Sequence, residues 1–433
     1  VKRLNRKPAK IGIAGLGTVG SSTARILLSK PQNATLTAVS ARTKGKDRGF
    51  SEEGLVWYDD PIELAKDPDI DIFAELIGGD EGPALESVKI ALANGKHVVT
   101  ANKALLAKHG MALAKLAEEN GVALRFEAAI AGGIPIVKAL REGLKANTIT
   151  RVIGILNGTC NYMLTRMGDE GMAFDECLKI AQDLGYAEAD PTFDIGGFDT
   201  AHKLSLLSSL AFGHETAAES VLVEGIEAIT SDDIKTAKNL GYKIKLLGIA
   251  RQTENGIEQR VHPTLIPENS AIARVDGVLN AVGVEGDAVG SVMLVGPGAG
   301  GDATASAVVG DIFDITYGDE TPVYGFAQQE MTPYEAAKAV SHEGGFYISI
   351  SVKDETGVFA AIAQEMAEKN ISLKSIMQNK NDNTVVNNDS GLQKIVLITH
   401  NCIESTLTEA ISNLSKHAFI VGNPQVIRIE NLS

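Results

Sequence analysis

The chain holds only three cysteines among its 433 residues, Cys160, Cys177 and Cys402. They lie far apart and form no CxxC pair, which excludes a disulfide framework and a cysteine-built zinc site. Unpaired thiols fit a cytoplasmic protein. The eight histidines are scattered, with no HExxH and no pair at i, i+4, so a catalytic metal of that type is not expected. Positive charge is the minority, with 40 Lys and Arg against 55 Asp and Glu for a net charge of −15. That balance argues against a general nucleic-acid binder, whose affinity rests on neutralising phosphates. It leaves room for a local basic pocket around one small phosphorylated molecule. No apolar run reaches about 18 residues, so no membrane-spanning helix is expected. The basic opening, Lys2 to Lys10, precedes an apolar stretch cut by Gly12, Gly15, Gly17 and Gly20. This reads as a buried strand and turn, not as a secretion signal.

What is present is a 44% hydrophobic composition, and at roughly 150 residues per domain about three domains are expected. From residue 10 onward strands alternate with helices. Strand candidates are Ile11–Leu16, Leu36–Ala41, Ile70–Ile77, His97–Thr100 and Val122–Phe126, and helical stretches follow at Val19–Ser29, Ala84–Asn94 and Ala104–Asn120. The alternation predicts a Rossmann-type, doubly wound parallel sheet over 1–145. Residues 146–325 read as an α+β domain, with 296–325 returning to the first domain as a helix. Residues 345–433 follow the order β-α-β-β-α-β, a ferredoxin-like module standing by itself. Within it Asn379–Gly391, rich in Asn, Asp and Ser, reads as a loop. Trp57 and Tyr58 fall in an early loop and are expected to pack rather than bind.

Gly15-Leu16-Gly17-Thr18-Val19-Gly20 is a GxGxxG between a strand and a helix. The first glycine permits the tight turn, the second lets backbone approach a pyrophosphate, and the third lets helix and strand pack closely. The helix N-terminus then stabilises phosphate charge. A carboxylate for the ribose of NAD would stand about 20 residues further on. The second strand instead ends Ser40-Ala41-Arg42, with Lys44 and Lys46 behind it. A guanidinium suits a 2′-phosphate, so NADP(H) is favoured and NAD(H) stays possible.

Residues 181–203 read AQDLGYAEADPTFDIGGFDTAHK. Glu188, Asp190, Asp194 and Asp199 precede Lys203, and the apolar run Leu204 to Leu207 after them places Asp199–Lys203 at the start of a helix that soon becomes buried. At i and i+4 the two share a helix face. A carboxylate beside an ammonium favours the protonated amine, an acid ready to serve a carbonyl being reduced. The same spacing also fits a plain salt bridge at a helix start. Cys160 beside Asn161 offers a rival, a thiol nucleophile of a semialdehyde dehydrogenase, although no partner histidine is near in sequence. A non-catalytic amino-acid sensor is a second rival, against which the intact lysine and acids argue.

The pattern A-x3-G-Y-small-x2-D-P-x2-D-I-x-G-x-D-x3-K across 181–203 resembles that of the homoserine dehydrogenases. Asn157-Gly158-Thr159-Cys160-Asn161-Tyr162, Thr100-Ala101-Asn102-Lys103 and Gly296-Pro297-Gly298-Ala299-Gly300-Gly301 resemble further segments of that family, and the likeness runs from about residue 10 to 430. It implies NAD(P)-dependent interconversion of L-homoserine and L-aspartate 4-semialdehyde, toward threonine, methionine and isoleucine. It implies Lys203 as general acid/base, Lys103 as a second lysine near nicotinamide and substrate, and Glu188 and Asp199, supported by Asp194, as substrate ligands. Gly185 and Gly301 resemble backbone contacts to the cofactor. The segment from Glu127 to Pro135 is similar to a monovalent-cation loop, with Glu127 and the carbonyls of Ile130, Gly132 and Ile134 holding a structural Na+. All-oxygen ligation suits such a hard cation. The C-terminal module resembles an ACT domain, with Asp354-Glu355-Thr356-Gly357-Val358 as its first turn, and L-threonine as the implied effector. A monofunctional enzyme without an aspartate kinase domain is expected, as a homo-oligomer, dimer or tetramer.

Overall fold

The computed structural model describes residues 7–30, 33–337, 342–379 and 392–431. Six short strands form the first sheet: β1 (Ala9–Ala14), β2 (Ala34–Ser40), β3 (Val56–Tyr58), β4 (Ile72–Glu75), β5 (His97–Thr100) and β6 (Leu124–Arg125). All pairs are parallel, in the order β3-β2-β1-β4-β5-β6. This is the dinucleotide-fold order, whose ligands meet the carboxyl ends of the strands. Helices α1 (Thr18–Ser29), α2 (Pro61–Lys66), α3 (Pro83–Ala93) and α4 (Lys103–Glu119) link the strands. α2 starts where Asp60 accepts the Ile62 N–H and Pro61 takes the first turn, a combination that fixes a helix start. Trp57 and Tyr58 lie in strand β3, not in a loop. Three residues are too few for a two-residue alternation to register, which is why the sequence conceals them.

The second sheet has eleven strands and runs β12-β11-β7-β9-β10-β17-β13-β15-β14, with β8 on β10 and β16 on β13. Its strands are β7 (Ile149–Ile155), β8 (Leu222–Val223), β9 (Tyr242–Thr253), β10 (Gly256–Pro267), β11 (Leu279–Gly286), β12 (Gly290–Pro297), β13 (Glu343–Lys353), β14 (Leu373–Asn379), β15 (Leu392–Thr399), β16 (Cys402–Ile403) and β17 (Gln425–Ile429). The last five belong to the ferredoxin-like module. Helices Val358–Glu368 and Glu404–Leu414 cover it, burying Val358, Ile362, Met366, Leu407, Ala410 and Leu414 on Phe346, Ile348 and Ile350. The module does not stand by itself. β17 pairs in parallel with β10 through Thr264↔Arg428 and Leu265↔Ile429, so the edge of β10 beyond β8 is filled from the far end of the chain. An open strand edge is a liability, and this pairing removes it. Most of the loop Asn379–Gly391 (380–391) lies outside the described residues.

Helix Phe198–Phe212 starts after Gly197 at φ +87 and is buried on nearly all sides, through Ala201, Leu204, Leu206, Leu207 and Leu210. It lies under the second sheet and touches α4 of the first unit. Helix Gly301–Tyr317 packs Val308, Val309, Ile312 and Ile315 into one core with Ile11, Ile13, Leu16 and Val39. The segment after β12 therefore lies against the parallel sheet.

Candidate functional site

The turn after β1 is fixed by two close approaches. Gly15 has φ +96, and a Cβ there would stand 2.3 Å from the Leu76 carbonyl; at Gly20 a Cβ would stand 1.8 Å from the Gly15 carbonyl. Only glycine satisfies either contact. At Gly17, by contrast, a Cβ would meet nothing within 4 Å. Gly17 and Thr18 are exposed and Val19 is half-buried. α1 begins with no side-chain cap and no acid in its first turn. Its first N–H groups thus meet no side chain or carboxylate of their own turn, an arrangement that fits a pyrophosphate. Gly301 completes the wall: a Cβ there would stand 2.8 Å from Ser22 Oγ and 3.0 Å from Thr18 Cγ2. Arg42, two residues past β2, is exposed.

Below this turn lies a residue that sequence reasoning missed. Glu75, fully buried at the end of β4, accepts the Ile77 and Gly78 N–H groups at 2.8 and 3.1 Å and the Thr100 hydroxyl at 2.6 Å. It ties the loop under Gly15 to the end of β5. A lone acid in an apolar strand gives no spacing signal.

The chain then turns into α4 at Asn102, whose side chain accepts the Leu105 N–H, so Lys103 is the first helical residue. Its Nζ lies 2.9 Å from Asp199 Oδ1. The other oxygen, Oδ2, accepts from Lys203 Nζ at 2.7 Å and from Asn157 Nδ2 at 3.0 Å. Lys203 also donates to the Leu156 carbonyl at 2.7 Å. Asn157 Nδ2 further donates to Asp194 Oδ1 at 2.8 Å, while Asn157 Oδ1 caps helix Gly158–Glu170 by accepting the Cys160 N–H. One amide thus starts a helix and holds two aspartates. That role is hidden in sequence because Asn157 and Asp199 lie 42 residues apart.

Electrostatics follow from this geometry. Burial alone would raise the Asp199 carboxyl, but Lys203 and Lys103 prevail and hold it well below the usual carboxylate range. Asp194 moves the other way: burial raises it, its Asn157 bond opposes, and the Asp199 charge adds to the rise. Cys160 is fully buried, its thiol donating to the Asp194 carbonyl at 3.2 Å, and burial pushes it well up. A protonated, enclosed thiol is a poor nucleophile, which argues against the thiol rival. His202, on helix Phe198–Phe212, sets its ring edge-on to Phe193 at 5.3 Å.

Glu188 does not join the cluster. It is exposed on the turn after helix Phe174–Asp183, its backbone carbonyl accepts from Gln182 Nε2 at 3.0 Å, and its side chain has no ion-pair or hydrogen-bond partner among the described residues. Gly185 is exposed in the same turn at φ +74. The neighbouring Tyr186 anchors it, its carbonyl accepting the Thr159 hydroxyl at 2.6 Å and its ring standing edge-on to Tyr162.

Glu127 is buried, with Oε1 accepting the Val137 N–H at 2.8 Å and Oε2 the Lys138 N–H at 2.9 Å. Ile130 and Ile134 are buried, Gly132 has φ +58 against the Gly298 carbonyl, and the Ile134 carbonyl accepts the Ile136 N–H. Asp311 receives the Glu127 N–H at 2.8 Å; burial, with the adjacent Glu127 charge, pushes its carboxyl up to about 7. Among the described residues no three His, Cys, Asp or Glu side chains gather as a metal site.

Family models described as homoserine dehydrogenase and as its NAD-binding domain match residues 135–313 and 15–127. The homoserine dehydrogenase of Pseudomonas aeruginosa is 43% identical over 441 residues, spanning 99% of this chain and 100% of its own. This chain belongs to the homoserine dehydrogenase family. The solved homoserine dehydrogenase of Thiobacillus denitrificans is 44% identical, covers 99% of both chains and superposes with a TM-score of 0.91. A hyperthermophilic archaeal homoserine dehydrogenase in complex with NADPH, 28% identical, matches 71% of this chain and 98% of its own with a TM-score of 0.62. Within the homoserine dehydrogenase fold seen here, the glycine turn follows β1 and Lys103 follows β5 at the same carboxyl end of the parallel sheet, and α4 touches the helix that carries Lys203.

Proposed function

We propose that the chain catalyses the reversible NAD(P)H-dependent reduction of L-aspartate 4-semialdehyde to L-homoserine, the branch toward threonine, methionine and isoleucine. The carrying observation is the hydrogen-bond count at Lys203. An ammonium has three donors; here two are spent, on Leu156 and on Asp199. The third is left for the substrate oxygen, to which Lys203 gives its proton in reduction and from which it takes one in oxidation. A bound reduced nicotinamide supplies hydride to the adjoining carbon.

Asp199 keeps its charge between the two lysines. With Lys103 the trio carries a net positive charge, which favours negative charge developing on the oxygen. Glu188, exposed and unpaired, meets the substrate ammonium together with Asp199, and Asp194 supports them through Asn157. The backbone of Gly15, Gly17, Thr18, Val19, Gly20, Gly185 and Gly301 cradles the dinucleotide. Arg42 favours the 2′-phosphate of NADP(H), with NAD(H) also accepted. Glu127 and the carbonyls of Ile130, Gly132 and Ile134 suit a structural Na+. The division of labour is cofactor binding by 1–145, substrate binding and subunit pairing by 146–325, and threonine-responsive regulation by 345–433, within a cytoplasmic homo-oligomer.

Among the described residues no helix is long and apolar enough to cross a membrane. The test is one set of steady-state rates: the semialdehyde with NADPH or NADH, with and without threonine, in sodium or choline buffer. Turnover of the semialdehyde supports the reaction. Its absence in folded protein overturns it, and the other arms decide cofactor preference, effector and cation separately.

A further inference from the structure

The loop after β2 is held down by a residue outside every motif above. Arg48, its side chain 5% exposed, donates Nε to the Leu16 carbonyl at 3.3 Å, between the first two fingerprint glycines. Its other nitrogens reach the carbonyls of Lys46 and Thr43 and the Glu52 carboxylate. The guanidinium carbon stands 5.5 Å from the Trp57 ring centroid, and Lys44 Nζ stands 5.9 Å from it. From α1, Arg25 donates to the Arg48 carbonyl and to Ser22, and pairs with Asp302 beside Gly301. The start of the same loop is fixed to the turn by the Gly15 N–H on the Ser40 carbonyl at 2.8 Å. The segment carrying Arg42 and Lys44 is therefore stitched to the pyrophosphate cradle at both ends. Only a planar, five-donor fork reaches several carbonyls while stacking on a ring.

We propose that Arg48 is a positioning residue for cofactor selection: it docks the loop on Trp57 and the glycine turn so that Arg42 and Lys44 face the 2′-phosphate. This rests on the NADP(H) preference proposed above. Arg42 and Lys44 are exposed and carry long, flexible stems. Held on a mobile loop they would lose much of their attraction to ordering entropy. Held on a docked one they meet a phosphate already placed by the turn.

Calorimetric titration with NADP+ and with NAD+ tests the idea in four proteins: the parent, Arg42→Ala, Arg48→Met and the double variant. Arg48→Met is expected to weaken NADP+ by about tenfold, as for loss of a charge-assisted contact, and NAD+ by at most about threefold. Arg42→Ala should cost NADP+ about tenfold in the parent but less than about threefold in the Arg48→Met background. A loss from Arg42→Ala that is selective for NADP+ yet identical in both backgrounds overturns the role of Arg48 and leaves the preference standing. An equal loss of NADP+ and NAD+ overturns the preference itself. Trp57, the only tryptophan, gives a readout without any ligand: its emission should move to longer wavelength in Arg48→Met as the ring gains water. An unmoved maximum means that the loop docks without the guanidinium, which also overturns the proposal. Should Arg48→Met not fold, Arg48→Lys keeps the charge but not the fork, and the same coupling and shift are expected in weaker form.

Discussion

Two buried lysines bond near the start of helix Gly158–Glu170, one to the Leu156 carbonyl just before it and one to Asn161 in its first turn, and differ in what they leave unspent. Lys245 donates to Asn161 Oδ1, the Val275 carbonyl and Asp276 Oδ1, at 2.9, 2.7 and 2.8 Å. All three of its donors are used. Lys203, next to Asn157 at the helix start, uses two. Both are removed from water and both pair with an aspartate, so burial and ion pairing do not distinguish a structural amine from the one proposed above as the acid. The remaining valence does. An ammonium with every donor satisfied is a strut, whereas one with a donor unspent has work left for a ligand.

Three experiments bear on that contrast. Lys203→Met should lower kcat by about a thousandfold, in the range of a lost general acid, while cofactor affinity from calorimetry stays close to the parent's. Its cost in stability should be modest, because Lys103 and Asn157 remain on Asp199. Retained turnover would erase the distinction between the two amines. Lys245→Met should do the reverse, lowering the unfolding free energy in urea by about 2 kcal/mol as buried acceptors lose their donor. The ionic share is small there, since Asp276 is 44% exposed and screened. Turnover per folded molecule should be near normal; a kcat loss matching that of Lys203→Met would show the two sites act as one. The smallest effect concerns pH. The folded-state pKa of Asp199 lies below its ordinary 3.8, because the lysines outweigh burial. The stabilisation it brings is thus present above pH 3.8 and lost as pH falls through the lower, folded value. The gap in unfolding free energy between the parent and Asp199→Asn should stay level from about pH 8 to 5 and close only below about pH 4. A gap that closed near neutrality would assign the effect to another group.

How much of this was legible in sequence depended on distance along the chain. The glycine turn and the Asp199–Lys203 pair declare themselves because each is one local geometry, a strand-to-helix turn or a single helical repeat. The same holds for the alternating elements of the parallel sheet. The clamp at Asn157, the strut at Glu75 and the stitch at Arg48 join residues 25 to 42 positions apart or lie in segments without periodicity. Nothing in residue order marks them. Glu188 shows the converse: it sits inside the most informative motif, yet the fold leaves its carboxylate in solvent, where a partner must come from outside the chain.

The seating of β17 beside β10 has a consequence for how the molecule is made. Thr264 and Arg428 are register partners separated by 164 positions, so during synthesis the β7–β12 layer waits with a bare rim until residues 425–429 leave the ribosome. Closing such a long span is slow, and in that interval the exposed rim is open to a neighbouring nascent chain. Shortening the wait, or shielding the rim while it lasts, should govern the yield of soluble protein more than any change around Asp199.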